Sequence, residues 1–127
     1  MLYAVLIYGS EAVVEGWTAQ EEGEVMDRHT RVRQGLIRQG RLGPVMRLAP
    51  TTSATTLRAG RRALILDGPF AETKEQLLGF YTVECASLEQ ALEVARGLEF
   101  DTGVFEVRPV TTFIAPGDPP DKECAAE

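Results

Sequence analysis

Two helix-start signals, set far apart, do most to limit what this chain can become. Thr18-Ala19-Gln20-Glu21 and Ser87-Leu88-Glu89-Gln90 both fit the S/T-x-x-E/Q capping box. In such a box the first side chain takes one orphan backbone N–H and the fourth takes another. Before each box lies a run rich in β-formers and too short for a helix, residues 2–8 (LYAVLIY) and 79–86 (GFYTVECA). After each comes a further strand signal, at residues 42–48 (interrupted by Pro44) and 104–110. The chain thus reads β-α-β twice. In a single domain of this size, that pattern predicts an α+β fold, a ferredoxin-like βαββαβ arrangement with an antiparallel sheet and both helices on one face.

The first helix is predicted over residues 19–39, with Gly40 as its stop. Its apolar stripe runs Val25, position 29, Val32, Leu36, with Met26 and Ile37 beside it. Position 29 is His29, so the stripe turns the only histidine inward. The second helix is predicted to about residue 96, with Leu88, Ala91, Leu92, Ala95 and then Leu98 on one face. Residues 11–17 read as an acidic loop. Between the halves, residues 55–58 pair back through Ala59-Gly60 onto 63–66 as an inserted β-hairpin. Asp67-Gly68-Pro69-Phe70 ends that strand with strong turn chemistry, and residues 71–78 read as a loop or short helical turn. The domain covers residues 1–114. The acidic, proline-rich segment 115–127 is expected to be a disordered tail. A small sheet covered on one side leaves an apolar face, so a homodimer is expected.

Charge excludes some functions. The 127 residues carry a net charge of −6, which argues against a general nucleic-acid binder and against an anionic-membrane binder. No apolar run approaches the ~20 residues of a membrane span. The opening residues lack a basic n-region and a small-residue cleavage site, so they read as a strand rather than a signal peptide. Cys85 and Cys124 form no metal or redox motif. Cys85 reads as a small buried residue and Cys124 lies in the tail, which fits a reducing, cytoplasmic setting. The charge is segregated: residues 28–66 hold nine arginines and no acid, whereas the flanking segments are acidic. These arginines either face solvent and pair with the acidic segments, or in part line a pocket for an anionic substrate.

His29 is the first candidate for chemistry. A lone histidine on an apolar helical face is more often a core or interface residue than a catalyst. Asp67, at the end of an apolar strand, is the second candidate. A carboxylate beside a histidine fixes its tautomer and raises its basicity, giving an acid–base pair, although Asp67 reads equally as turn chemistry. Tyr8, at the end of the first strand, is a pocket hydroxyl or amphipathic packing. Phe70 walls the pocket or packs in a dimer interface. Lys74 binds an anionic ligand or pairs with Glu72 or Glu75. Arg47 is a further candidate for anion contact. Neither a phosphate loop, nor a dinucleotide fingerprint, nor a nucleophile elbow occurs, too few Cys and His are present for a structural zinc site, and nothing asks for a cofactor.

The segment from Asp67 to Tyr81, DGPFAETKEQLLGFY, resembles the signature of the DGPF subgroup of the YCII-related family. The resemblance extends to the opening MLYAVLIYG, to His29, to Thr55-Thr56-Leu57-Arg58 and to Val107-Arg108-Pro109-Val110. It implies a dimeric α+β barrel, two ferredoxin-like protomers with their sheets face to face. It also implies a pocket between sheet and helix, with His29 and Asp67 as the acid–base pair. The activity implied is that of a cofactor-independent lyase or isomerase acting on a small molecule. The alternative is a non-catalytic ligand-binding or regulatory dimer, with a sigma factor as partner.

Overall fold

The computed structural model describes residues 1–62 and 64–120. The element order is β1 (Leu2–Gly9), α1 (Glu11–Glu15), α2 (Ala19–Arg38), β2 (Leu42–Arg47), a 3-10 turn (Thr51–Ser53), β3 (Thr55–Arg58), β4 (Leu64–Asp67), β5 (Gln76–Glu84), α3 (Leu88–Gly97) and β6 (Val104–Pro109). Four strands form one sheet in the order β2-β5-β1-β6, with every neighbouring pair antiparallel. That order places each half's two strands either side of a strand from the other half, and is compatible with a ferredoxin-like fold. β3 and β4 pair only with each other, Leu57 opposite Ile65. They make the inserted hairpin, a separate ribbon.

Alternation decides which face of the sheet is covered. Tyr3, Val5 and Ile7 of β1 and Tyr81 and Val83 of β5 are buried and pack with Leu36 of α2, Ala91 and Ala95 of α3, and Leu98 just after it. Both long helices therefore lie on this face. Leu2, Ala4, Leu6 and Tyr8 point the other way and are only half-buried. Cys85 is buried; Cys124 lies outside the described residues. Among the described residues no helix is long and apolar enough to cross a membrane.

The first capping box forms as the sequence requires. Thr18 Oγ1 accepts from the Glu21 N–H at 3.1 Å and Glu21 Oε1 accepts from the Thr18 N–H at 3.0 Å. The second is half of one: Ser87 Oγ accepts from the Gln90 N–H at 3.2 Å, but Gln90 Oε1 reaches past Ser87 to the Ala86 N–H at 2.8 Å.

Three expectations need correction. Residues 11–15 form helix α1 rather than a loop. Ser10 caps it, and Glu11 is tied to the rest of the chain, its carboxylate taking the N–H and hydroxyl of Thr51 and its N–H donating to Gln76 Oε1. β5 begins at Gln76, three residues earlier than expected, because β1 pairs with it as far as Gly9. On α3 the buried face runs through Val94, while Leu88 at the helix start is half exposed. Beyond residue 114, residues 115–118 form a turn in which the Ala115 N–H donates to Asp118 Oδ2 and the Asp118 N–H donates to the Ala115 carbonyl. The expectation for residues 121–127 lies outside the described residues.

Candidate functional site

A cavity of about 230 Å³ lies between the helix-covered face of the sheet, α2 and α1. Its walls are chiefly apolar, with Ile7, Trp17, Val25, Met26, Leu78 and Phe100 among them. Trp17 meets Phe100 edge to face at 5.5 Å between ring centroids, which closes one side with stiff aromatic surface. The mouth runs along β2, past Met46, Arg47 and Leu48. β2 can lie this close because β5 carries Gly79 there: a Cβ at that position would sit 2.3 Å from the Met46 carbonyl oxygen.

Three polar side chains converge inside. His29 is on the stripe of α2, and Arg33 follows it one turn later on the same face. Tyr81 stands on the helix-facing side of β5, with Val5 of β1 and Val45 of β2 as its cross-strand neighbours. The Tyr81 hydroxyl lies 2.9 Å from His29 Nδ1 and 3.0 Å from Arg33 Nη1. A guanidinium only donates, so one lone pair of Tyr81 Oη takes Arg33. The Tyr81–Nδ1 contact suits either tautomer of the neutral ring; in the one where Nδ1 accepts, Tyr81 gives it its own hydrogen and Nε2 carries the ring proton.

His29 Nε2 is enclosed and makes no hydrogen bond of ordinary geometry. The Leu98 carbonyl, at the end of α3, exerts a weak upward pull on the ring's pKa without closing a proper bond. Burial is the strongest influence on the imidazole, and the positive charges of Arg33, Arg28 and Arg47 add to it. Together they push its pKa down from 6.5 to about 4. The phenol of Tyr81 is pushed up, because burial opposes the phenolate more than Arg33 favours it. At neutral pH the site therefore holds a neutral imidazole, a neutral phenol and a cation. It can accept a proton through the Tyr81–His29 bond and can hold an anion.

The expected site residues are distributed unevenly. His29 and Arg47 line the cavity. Asp67 ends β4 on the separate ribbon, exposed and paired through its backbone with Thr55; in the single chain it is among neither the cavity lining nor the groups hydrogen-bonded to His29. The turn after it depends on Gly68, whose φ of +95° favours glycine, and whose N–H donates to the Ala54 carbonyl at 2.6 Å. Phe70 is 77% exposed, so within one chain it neither walls the cavity nor packs. Lys74 is exposed, and neither Glu72 nor Glu75 forms an ion pair with it among the described residues. Tyr8 lies on the other side of the sheet and donates to Glu106 Oε1 at 3.4 Å.

Sequence reasoning passed over Tyr81, Trp17 and Phe100, and raised Arg33 only as one of nine arginines that in part line a pocket. Arg33 was within reach, since it lies four residues from His29 on a helix. Tyr81 gave only the signal of an alternating strand, and its pairing with a histidine 52 residues away is a product of the fold. Among the described residues no group of three or more His, Cys, Asp or Glu side chains is placed to hold a metal ion.

Comparison with known proteins gives two findings. The family model described as the YCII-related domain matches residues 1–114. The chain is also 49% identical over 124 residues to an uncharacterised protein of Rhizobium meliloti, an alignment covering 94% of this chain and 99% of that relative.

Proposed function

We infer that this chain, which belongs to the YCII-related family, binds a small molecule in the cavity between α2 and the sheet and moves a proton on it without a cofactor, as a lyase or isomerase does. The observation that carries the reading is His29: a neutral imidazole held by Tyr81 inside an apolar cavity. Neutrality leaves it free to take a proton, and the walls keep water from competing. Arg33 and Arg47 favour a substrate with negative charge. Within the family, the DGPF subgroup is the finer assignment, and the Asp67-Gly68-Pro69-Phe70 motif supports it.

The working form in this reading is a homodimeric α+β barrel. Its support is what one chain leaves bare: the half-buried apolar side of β1, and a ribbon with Leu57 65%, Ile65 74% and Phe70 77% exposed. A two-stranded hairpin is marginal by itself. Docked on a second copy, the ribbon would also bring Asp67, with Lys74 nearby in sequence, to a protein surface where it could complete a site.

The test follows the single histidine by NMR against pH, in tag-free protein. The expected midpoint is near 4, rising in Tyr81→Phe because the neutral ring loses its donor. A carboxylate delivered by a second copy would lift the wild-type midpoint, and Asp67→Asn would bring it back down. A midpoint near ~6.5, indifferent to both substitutions, overturns the reading. One observation favours the alternative, a ligand-binding or regulatory dimer working with a sigma factor: Nδ1 is occupied by Tyr81 and Nε2 is enclosed, so neither ring nitrogen is free. That alternative predicts a ligand whose affinity and chemical fate are both unchanged in His29→Gln.

A further inference from the structure

Around His29 and Tyr81 the cavity is cationic, and no carboxylate is ion-paired with the arginine that touches them, among the described residues. Arg33 is half-buried, and its guanidinium donates only to neutral oxygens, Tyr81 Oη at 3.0 Å and Thr30 Oγ1 at 3.3 Å. No carboxylate is ion-paired with it among the described residues. Arg47, at the mouth, has Glu22 at 3.7 Å, and both side chains are more than half exposed. Arg28 acts on the ring from the preceding position of α2 and borders a separate surface depression with Glu99 and Asp101. Two carboxylates border the cavity from α1. Glu11 is taken by Thr51, and Glu15 is exposed at the rim. Arginine's planar fork matches a carboxylate in two parallel bonds and is easier to bury than an ammonium.

We propose that the cavity takes a small, largely apolar carboxylate, its anionic head on Arg33 beside Arg47 and its body against Trp17, Val25, Met26 and Phe100, and that this docked charge makes the Tyr81–His29 pair able to accept a proton. The proposal rests on the proton-transfer reading of the site. Tyr81 Oη has one hydrogen and two lone pairs. In the tautomer the proposal uses, with Nδ1 as acceptor, the hydrogen goes to His29 Nδ1 and one lone pair takes Arg33, which leaves one lone pair for a proton from the ligand. In the step, an acidic O–H or C–H bond of the ligand breaks, and its electron pair stays on the ligand. Its proton forms a new bond to Oη while the original Oη–H bond breaks and that proton bonds to Nδ1. Tyr81 ends as it began, His29 becomes an imidazolium, and the ligand gains one negative charge.

In the free protein an imidazolium there would face Arg28, Arg33 and Arg47 with no anion beside it. The ligand's carboxylate removes that penalty, since an opposite charge within about 4–6 Å shifts a pKa by 1–3 units. The substrate's own charge thus turns on the base, and a neutral isostere that fits equally well does not.

The experiment records the His29 ring resonances against pH in the full chain, alone and with millimolar acetate, butyrate, benzoate or cyclohexanecarboxylate, with benzamide as the neutral control. At least one apolar carboxylate is expected to raise the midpoint by about one unit or more, with benzoate or cyclohexanecarboxylate ahead of acetate, while benzamide leaves it in place. In Arg33→Gln the midpoint of the free protein rises, because a cation has been removed. The carboxylate effect is lost, with binding roughly tenfold or more weaker; Arg33→Lys lies between. Circular dichroism confirms that both variants are folded, and if Arg33→Gln is not, Arg33→Lys alone must show the weakened response. A low midpoint that no carboxylate moves, or one that benzamide moves equally, overturns this proposal and leaves the proton-transfer reading standing. A free-protein midpoint near ~6.5 that neither Tyr81→Phe nor Asp67→Asn moves removes both.

Discussion

His29 is the residue on which the chemistry and the stability of this protein meet. Its ring prefers to be neutral when folded, near pKa 4, and titrates near ~6.5 when the chain is unfolded. Between those values the unfolded chain binds more protons, so stability rises with pH across the window. The contribution is present in full above about pH 6.5 and is lost as pH falls towards 4. Discounted for the ring's partial exposure, it is on the order of 2 kcal/mol. Urea midpoints at pH 7 and pH 4.5 should differ by more in wild type than in His29→Gln, whose side chain does not titrate; equal differences would show that the ring is not buried neutral. The enclosed Nε2 belongs to the same account, because a buried polar atom left without a partner costs about 1–3 kcal/mol.

The elements that hold the site differ in what sustains them. α2 carries its own start signal: Thr18→Ala removes the acceptor for the Glu21 N–H and should cost about 1 kcal/mol, seen as a lower thermal midpoint with the fold retained. β2 depends on its neighbour. In Gly79→Ala the new methyl would meet the Met46 carbonyl at 2.3 Å, and backbone cannot swing aside as a side chain can. We expect β2 to part from β5 at Met46 and Arg47, with a loss of several kcal/mol and of carboxylate binding, since the mouth of the cavity is that stretch of strand. Faster amide hydrogen exchange in residues 45–48 would report the parting; unchanged exchange would show that the strands re-pair. α1, by contrast, has no buried residue of its own and is held by Ser10, Thr51 and Gln76.

At the scale of the molecule, one chain leaves apolar surface uncovered in two places, on the far side of β1 and on the β3–β4 ribbon. Leu57 and Ile65 are cross-strand partners on the ribbon, so they present one continuous apolar patch. Light scattering at micromolar concentration should give twice the chain mass. Ile65→Lys places a charge in the patch, and should weaken self-association while leaving the four-stranded sheet folded, because Ile65 touches none of its strands in register. A monomer in the wild type would overturn the dimer. A dimer indifferent to Ile65→Lys would move the contact to the sheet.

Local interactions are written along the chain, and they were legible there. Thr18 and Glu21 are three residues apart, so their capping box needs nothing distant. The stripe through Val25, His29, Val32 and Leu36 follows from 3.6 residues per turn, and it turned His29 inward on the sequence alone. The Leu57–Ile65 hairpin followed from two short runs, 55–58 and 63–66, pairing back through Ala59-Gly60. What stayed hidden depends on contacts far apart in the chain. Glu11 makes a helix of an apparent loop by binding Thr51, and β5 starts early because β1 continues to pair with it. The site divides the same way. A histidine facing the core is a sequence fact; its partner is not, because a side chain's hydrogen bonds are chosen by what the sheet brings within 3 Å. Asp67 offered the right chemistry at a strand end, but β4 pairs with β3 and not with the main sheet. Tyr81 offered no motif, yet β5 lies at the centre of that sheet beneath α2, and it is this packing that gives His29 a phenol for a neighbour and a ring of arginines around it.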